Sequence, residues 1–156
     1  MTELPSGGAP APAVAIELRL HYAHGLGGLA PYFAGLERGV AMATRCRGCG
    51  RTWFAPRLAC ACGGRAMDWV ELTGRGTVVA LTRGRALLPG TSRGDEFCFA
   101  LIRLDGAGNL CFGRLGRTAS HLGPGSAVRL SRAEGEWAHP AQSAEYVPAA
   151  GGTRRA

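Results

Sequence analysis

The apolar positions of this chain change rhythm along its length. Ile16, Leu18 and Leu20 alternate with Glu17, Arg19 and His21, the period of a short strand. Gly25–Gly28 interrupts that run. Pro31 then stands in a first turn, Tyr32, Phe33 and Leu36 share a stripe, and Gly39 follows, which predicts a short helix over 31–39. From Trp69 onward the texture is short β runs parted by Gly: Trp69–Thr73, Thr77–Arg83, Phe97–Leu104, Leu110–Leu115, Ala127–Arg132 and a weaker Ala144–Val147. Asp105–Asn109 reads as a Gly-rich hairpin loop, and Leu115 to Gly125 leaves room for a helical turn between two strands. Five or six short strands in roughly 80 residues predict a small closed or nearly closed barrel. No internal repeat is present.

Length changes this picture little. The 156 residues suit one ordinary domain or two very small ones, and 46% hydrophobic content supports a packed core. Residues 1–15 are rich in Pro, Ala and Gly and are expected to be a mobile lead. No run approaches the roughly 18 apolar residues of a membrane-spanning helix. Met1–Pro12 lacks the basic and apolar regions of a secretory signal, so a cytoplasmic protein with reduced thiols is the expectation. The formal charge is +7, and all 18 basic side chains are Arg. Arg neutralises phosphate, so nucleic acid is one partner class. In a chain without Lys and crowded with Ala and Gly, Arg also reads as the general-purpose cation. The same charge suits any phosphate-bearing partner, a CoA ester included.

The cysteines alter the picture most. Cys46-Arg-Gly-Cys49-Gly50 is followed by Cys60-Ala-Cys62-Gly63, with ten residues between Cys49 and Cys60. Two close Cys pairs at this separation suit a tetrahedral four-thiolate zinc site, each pair capping one turn. Gly50 and Gly63 permit the tight backbone that aims N–H groups at the sulfurs. The second knuckle is one residue shorter than the first, so its geometry must differ. A structural zinc, a site that has lost its metal, and a redox pair or disulfide all fit the spacing. A catalytic zinc fits poorly, because four thiolates leave no open position. Four thiolates around Zn²⁺ carry about −2, which Arg45, Arg47, Arg51 and Arg57 flank. Cys98 and Cys111 fall mid-strand and read as buried core thiols.

Two other motifs carry less. Gly90-Thr-Ser92-Arg-Gly94 fits G-x-S-x-G, but a nucleophile elbow needs a strand before it and a helix after it in a large α/β sheet. Gly25-Leu-Gly27-Gly-Leu-Ala30 lacks the βαβ unit of a dinucleotide fingerprint. His21, His24, His121 and His139 are scattered without a matching nucleophile or carboxylate, so no catalytic residue is assigned.

The order helix, cysteine knuckles, barrel resembles the zinc-ribbon plus OB-fold proteins of domain-of-unknown-function family 35, thiolase-associated accessory proteins. The resemblance rests on Pro31-Tyr-Phe-Ala-Gly-Leu-Glu-Arg-Gly39, Arg45-Cys-Arg-Gly-Cys-Gly50, Trp53-Phe-Ala-Pro-Arg57, Trp69-Val-Glu-Leu-Thr-Gly-Arg-Gly-Thr77, Ala100-Leu-Ile-Arg-Leu-Asp-Gly106 and Gly123-Pro-Gly-Ser-Ala-Val128, spanning roughly residues 29–132. It implies a mainly β fold: a short N-terminal helix and a rubredoxin-like zinc ribbon, then a five-stranded OB barrel. Segment by segment, it implies a flexible or interface N-terminal segment over 1–28, helix plus ribbon over 29–68, the barrel over 69–148 and a disordered tail over 149–156. Val40-Ala-Met-Ala-Thr44 would be the strand leading into the ribbon, and the 69–77 segment the lead-in to the barrel. The run Ile16 to His24 has no counterpart in the family and is expected to be an added interface strand. One structural zinc on Cys46, Cys49, Cys60 and Cys62 is implied.

The function implied is that of a non-catalytic scaffold and CoA-channel subunit. Its partner would be a thiolase-like or ketoacyl-synthase-like acyltransferase, with a CoA thioester shared between the two. Tyr32, Phe33, Trp53 and Phe54 are candidates for the partner interface; the competing reading is that they pack the ribbon on the barrel. Arg57 and Arg75 are candidates for CoA phosphates. Two alternatives stand beside this. A single-stranded nucleic-acid binder would display Phe97, Phe99 and Phe112 near Arg75, Arg83, Arg85 and Arg93. A free-standing acyl-CoA-binding protein is the other.

Overall fold

A computed structural model describes residues 14, 16, 17, 19–85, 96–119, 121–137 and 139–149 of the chain, with the side chains of Arg85 and Glu96 left aside. The G-x-S-x-G segment, Arg93 and the tail at Arg154 and Arg155 lie outside them. The chain opens with a 3-10 turn at Gly27–Leu29 and helix α1 at Ala30–Leu36. Pro31 sits in its first turn. The stop expected at Gly39 is present: Gly39 has φ +71° and lies against the backbone of Arg132, where a side chain has no room.

Three strands follow: β1 at Ala41–Cys46, β2 at Thr52–Trp53 and β3 at Met67–Leu72. They form one antiparallel sheet in the order β2-β1-β3. Here the structure differs from the sequence reading. Trp69–Thr73 was expected to lead into the barrel, yet β3 runs along β1, with Ala43 opposite Val70 and Thr44 opposite Trp69. Its apolar residues have a nearer partner in the ribbon strand than in the barrel: Val70 and Leu72 lean on the main core from the ribbon side.

The barrel begins at Arg75. Its strands are β4 at Arg75–Arg85, β5 at Glu96–Leu104, β6 at Leu110–Leu115, β7 at Ala127–Arg132 and β8 at Ala144–Pro148. They close in the order β4-β5-β6-β8-β7, with β4 returning to pair with β7. All neighbours are antiparallel except β6 and β8. This is OB topology. A bulge between Val78 and Ala80 bends β4, and the bent strand pairs with both β5 and β7. The helical turn expected after Leu115 is a single 3-10 turn, Arg117–Ala119.

Strand alternation explains the core. Cys98, Ala100, Ile102 and Leu104 of β5 point inward with Val78, Cys111, Leu115, Val128, Leu130 and Tyr146, and all are buried. Cys98 and Cys111 are thus the core thiols read from the sequence. Leu36, Ala41, Ala43 and Phe54 join the same cluster from the helix and ribbon, so ribbon and barrel share one core. The alternation at Ile16–His21 forms no strand among the described residues. Ile16, Leu20 and Tyr22 are exposed, with no neighbouring strand to cover them.

Candidate metal centre

β1 delivers Cys46 at its C-terminal end, and the turn after it delivers Cys49. Gly50 closes that turn at φ +72°, its N–H donating to Cys46 O at 2.9 Å. The second knuckle closes the same way at Gly63, φ +88°, its N–H donating to Cys60 O at 3.0 Å. Both conformations are left-handed, which only Gly adopts without strain. The shorter C-x-C spacing thus still makes a turn, and the Cys60 N–H donates to Gly64 O at 2.8 Å. Gly64 passes so close that a Cβ there would sit 3.0 Å from Cys46 Sγ.

All four sulfurs of Cys46, Cys49, Cys60 and Cys62 lie within 4.8 Å of one another. Cys46 Sγ is 3.7 Å from Cys62 Sγ, and Cys49 Sγ is 3.5 Å from Cys60 Sγ. Metal–sulfur bonds of about 2.3 Å place tetrahedral sulfurs roughly 3.8 Å apart. A disulfide needs about 2.05 Å, and the four thiols are free. The arrangement therefore fits a tetrahedral metal ion. Cys46 and Cys60 are buried while Cys49 and Cys62 are exposed, so one edge of the site faces solvent.

Electrostatics favour thiolate on one side of the cluster. The Cys62 backbone N–H and then the Trp53 indole N–H, 3.4 Å from Cys60 Sγ, lower the Cys60 thiol to about 6. Cys62 receives a hydrogen bond from the Gly64 backbone that lowers it. Its neighbours Cys49, Cys60 and Cys46 outweigh that and push it up to about 11. Four thiols this close cannot all ionise without a cation among them.

The flanking Arg residues divide their work. Arg57 lies over the Trp53 ring at 4.3 Å and Arg51 at 5.5 Å, which sets two guanidinium groups beside the ring that donates to Cys60. Arg47 is held by Asp68, with Nε 2.8 Å from Oδ1, and Arg45 donates to the Thr52 hydroxyl at 3.1 Å. Two of the four thus stand over Trp53, while the other two are engaged elsewhere. Arg57 is also anchored through its backbone: its N–H donates to Thr44 Oγ1 and its carbonyl accepts from the same hydroxyl, both at 3.0 Å.

The aromatic candidates turn inward. Trp53 and Phe54 are buried, and Tyr32 and Phe33 are half-buried against the main core. Tyr32 packs edge-on to Phe54 at 5.6 Å and Phe33 edge-on to His139 at 5.2 Å. Tyr32, Phe33 and Phe54 thus seat the helix and ribbon on the barrel, while Trp53 packs with Cys46 and Cys60 inside the ribbon. Arg75, the other CoA-phosphate candidate, lies at the start of β4, exposed, opposite Arg129. Sequence reasoning did not find the Trp53 donor role, although an aromatic between two Cys pairs was its signal. It also missed Asn109. This side chain accepts from Phe54 N–H at 3.1 Å and donates to Phe54 O at 2.7 Å, bracing the ribbon against the β5–β6 loop.

A four-cysteine ribbon ahead of a closed five-strand OB barrel defines a two-part β architecture, and solved structures share it. One is a chain of a structure described as the Ltp2-ChsH2(DUF35) aldolase, with TM-score 0.59 and 21% identity over 77% of this chain and 93% of that chain. Another is a DUF35-family protein of unknown function from Sulfolobus solfataricus, with TM-score 0.54 and 16% identity over 76% and 83% of the two chains. The chain thus has the fold of DUF35-family proteins. No family model matches its sequence, and no curated protein does.

Proposed function

We propose that this chain is a non-catalytic accessory subunit of a thiolase-like acyl-transfer or aldolase enzyme. Its ribbon would be held by one structural zinc, and its surface would help form the path of a CoA thioester. The observation that carries the reading is the likeness to the DUF35 chain of an aldolase whose other component is Ltp2. The donor set supports zinc, because four thiolates on two rigid knuckles select a tetrahedral soft-ligand ion. Zinc would neutralise the crowded thiolates, and no chemistry at the metal is required.

The barrel core holds a buried pair of titratable side chains. Tyr146 Oη and Cys111 Sγ are 3.3 Å apart in the core. Burial pushes the ionisations of Tyr146 and Cys111 up, so both stay neutral. Arg57 and Arg75 remain the candidates for CoA phosphates, and cytoplasm the proposed compartment. No helix is long and apolar enough to cross a membrane among the described residues.

Co-expression with thiolase-like subunits, followed by size-exclusion chromatography and metal analysis, tests the proposal. The expected result is a stable heteromer with one zinc per copy of this chain. Failure to associate with any such subunit, together with calorimetric binding of CoA by the chain alone, would replace it with a free-standing CoA binder.

One observation favours a second reading. Phe112 is 66% exposed and stacks on Phe99 at 5.1 Å with 16° between planes, and Phe99 stacks on Phe97 at 6.3 Å. Such a ladder on the second and third strands of an OB barrel is where single-stranded nucleic acids stack. The cations there are partly engaged, however: Arg114 faces Glu145 at 3.6 Å and the Trp137 ring at 5.7 Å. Oligonucleotide binding that weakens steeply with salt would establish this reading.

A further inference from the structure

Every strand of the closed barrel has two neighbours, so the sheet whose outer strands have a neighbour on one side only is the ribbon. The outer edge of β2 is covered. Gly108 N–H donates to Thr52 O at 2.8 Å, and Asn109 braces Phe54. The outer edge of β3 is different. Arg47 N–H donates to Ala66 O at 3.0 Å, which fixes the phase of the antiparallel ladder. Asp68, Val70 and Leu72 then face β1 with their backbone groups, while Met67, Trp69 and Glu71 point theirs outward. Among the described residues nothing pairs with these three.

The same chain holds a segment with a strand-like sequence pattern and no sheet. Residues 19–23 belong to no helix, turn or ladder and their backbone groups are unpaired among the described residues, and Leu20 and Tyr22 are 88% and 83% exposed. The polar side of this segment carries Arg19 and His21. An antiparallel register that sets Arg19 opposite Glu71 also sets Leu20 beside Val70 and His21 beside Trp69. Val70 packs on the main core, so Leu20 would extend an existing apolar face while Arg19 meets the exposed carboxylate of Glu71. Charge and hydrophobic pattern agree on one register.

We propose that a second copy of this chain adds residues 19–23 as an antiparallel strand on the free edge of β3. The exchange is reciprocal: each copy gives one strand and receives one, which closes a two-fold dimer. In its own chain the segment makes no backbone pairing with β3 among the described residues, and Arg19 pairs locally with Glu17 at 2.8 Å. The interface needs no element that the ribbon or barrel already uses.

Light scattering on the full chain, from low concentrations to about 200 µM, reads the oligomer directly, since a dimer gains with concentration. The expected mass is twice that of one chain. Leu20→Asp and Arg19→Glu should each return it to one chain mass, and Glu71→Arg in the Arg19→Glu background should restore the dimer. Leu20 and Arg19 are exposed, so these variants leave the fold intact. Hydrogen exchange supplies the second readout: the amides of Met67, Trp69 and Glu71 should exchange at least roughly tenfold faster in Leu20→Asp than in the parent. A parent chain that is monomeric throughout overturns the proposal, whether its β3 amides exchange freely or are covered by its own segment. A dimer indifferent to all three substitutions overturns it equally.

Discussion

At the residue scale, close contacts make the sharpest statements. Gly113 lies under the Tyr146 ring, and a Cβ there would overlap Cε2 of that ring. Gly113→Ala must displace the phenol that meets Cys111, and it should cost about 1–3 kcal/mol in urea unfolding. Tyr32 gives a pH dependence. Burial, and secondarily the nearby Cys111, raises its phenol from 10.0 to about 12 in the folded state. The neutral phenol therefore contributes stability that is complete below pH 10 and is lost as pH climbs through 12. Tyr32→Phe should lose less stability between pH 9 and pH 12, by up to about 3 kcal/mol, in unfolding titrations at several pH values. The ligand cysteines were readable because spacing alone encodes a knuckle. Trp53 and Asn109 were not, because their roles depend on which loop the fold brings opposite them.

At the element scale, the ribbon contains two packing centres. Cys46, Trp53 and Cys60 form a small cluster joined by Met67, while the next residue, Phe54, belongs to the main core. Metal removal by a chelator should therefore loosen the knuckles and leave the barrel paired. Hydrogen exchange should rise around residues 46–50 and 60–64, with β5 and β6 amides unchanged. Loss of protection throughout the barrel would show that the metal holds the whole chain together. The strands of the barrel were legible from their alternating and apolar runs, and Asp105–Asn109 from its Gly content. The partner of β3 was not. A five-residue run such as Trp69–Thr73 announces a strand but not its neighbour, and the choice between β1 and the barrel is made by long-range packing of Val70 and Leu72. The Ile16–His21 alternation shows the opposite case, a strand-like pattern with no neighbouring strand among the described residues.

At the scale of the whole molecule, the ribbon and barrel are joined through Phe54, Asn109 and the aromatic contacts of α1. Asn109→Ala leaves both backbone groups of Phe54 without this partner and should destabilise the chain by about 1–3 kcal/mol. Calorimetry should then show a broadened or split transition where the parent shows a single one. The charge of +7 also looks different at this scale. Arg47 and Arg114 are paired with Asp68 and Glu145 and are already cancelled in that sum, while Arg51 and Arg57 lie over the Trp53 ring. The Trp53 indole has a further consequence. A ring whose N–H points at a cysteine sulfur, under a guanidinium, is quenched when that sulfur is electron-rich and free. A metal ion held by the four cysteines would draw on the same lone pairs and change that emission, so the indole would serve as an unlabelled optical gauge of metal loading.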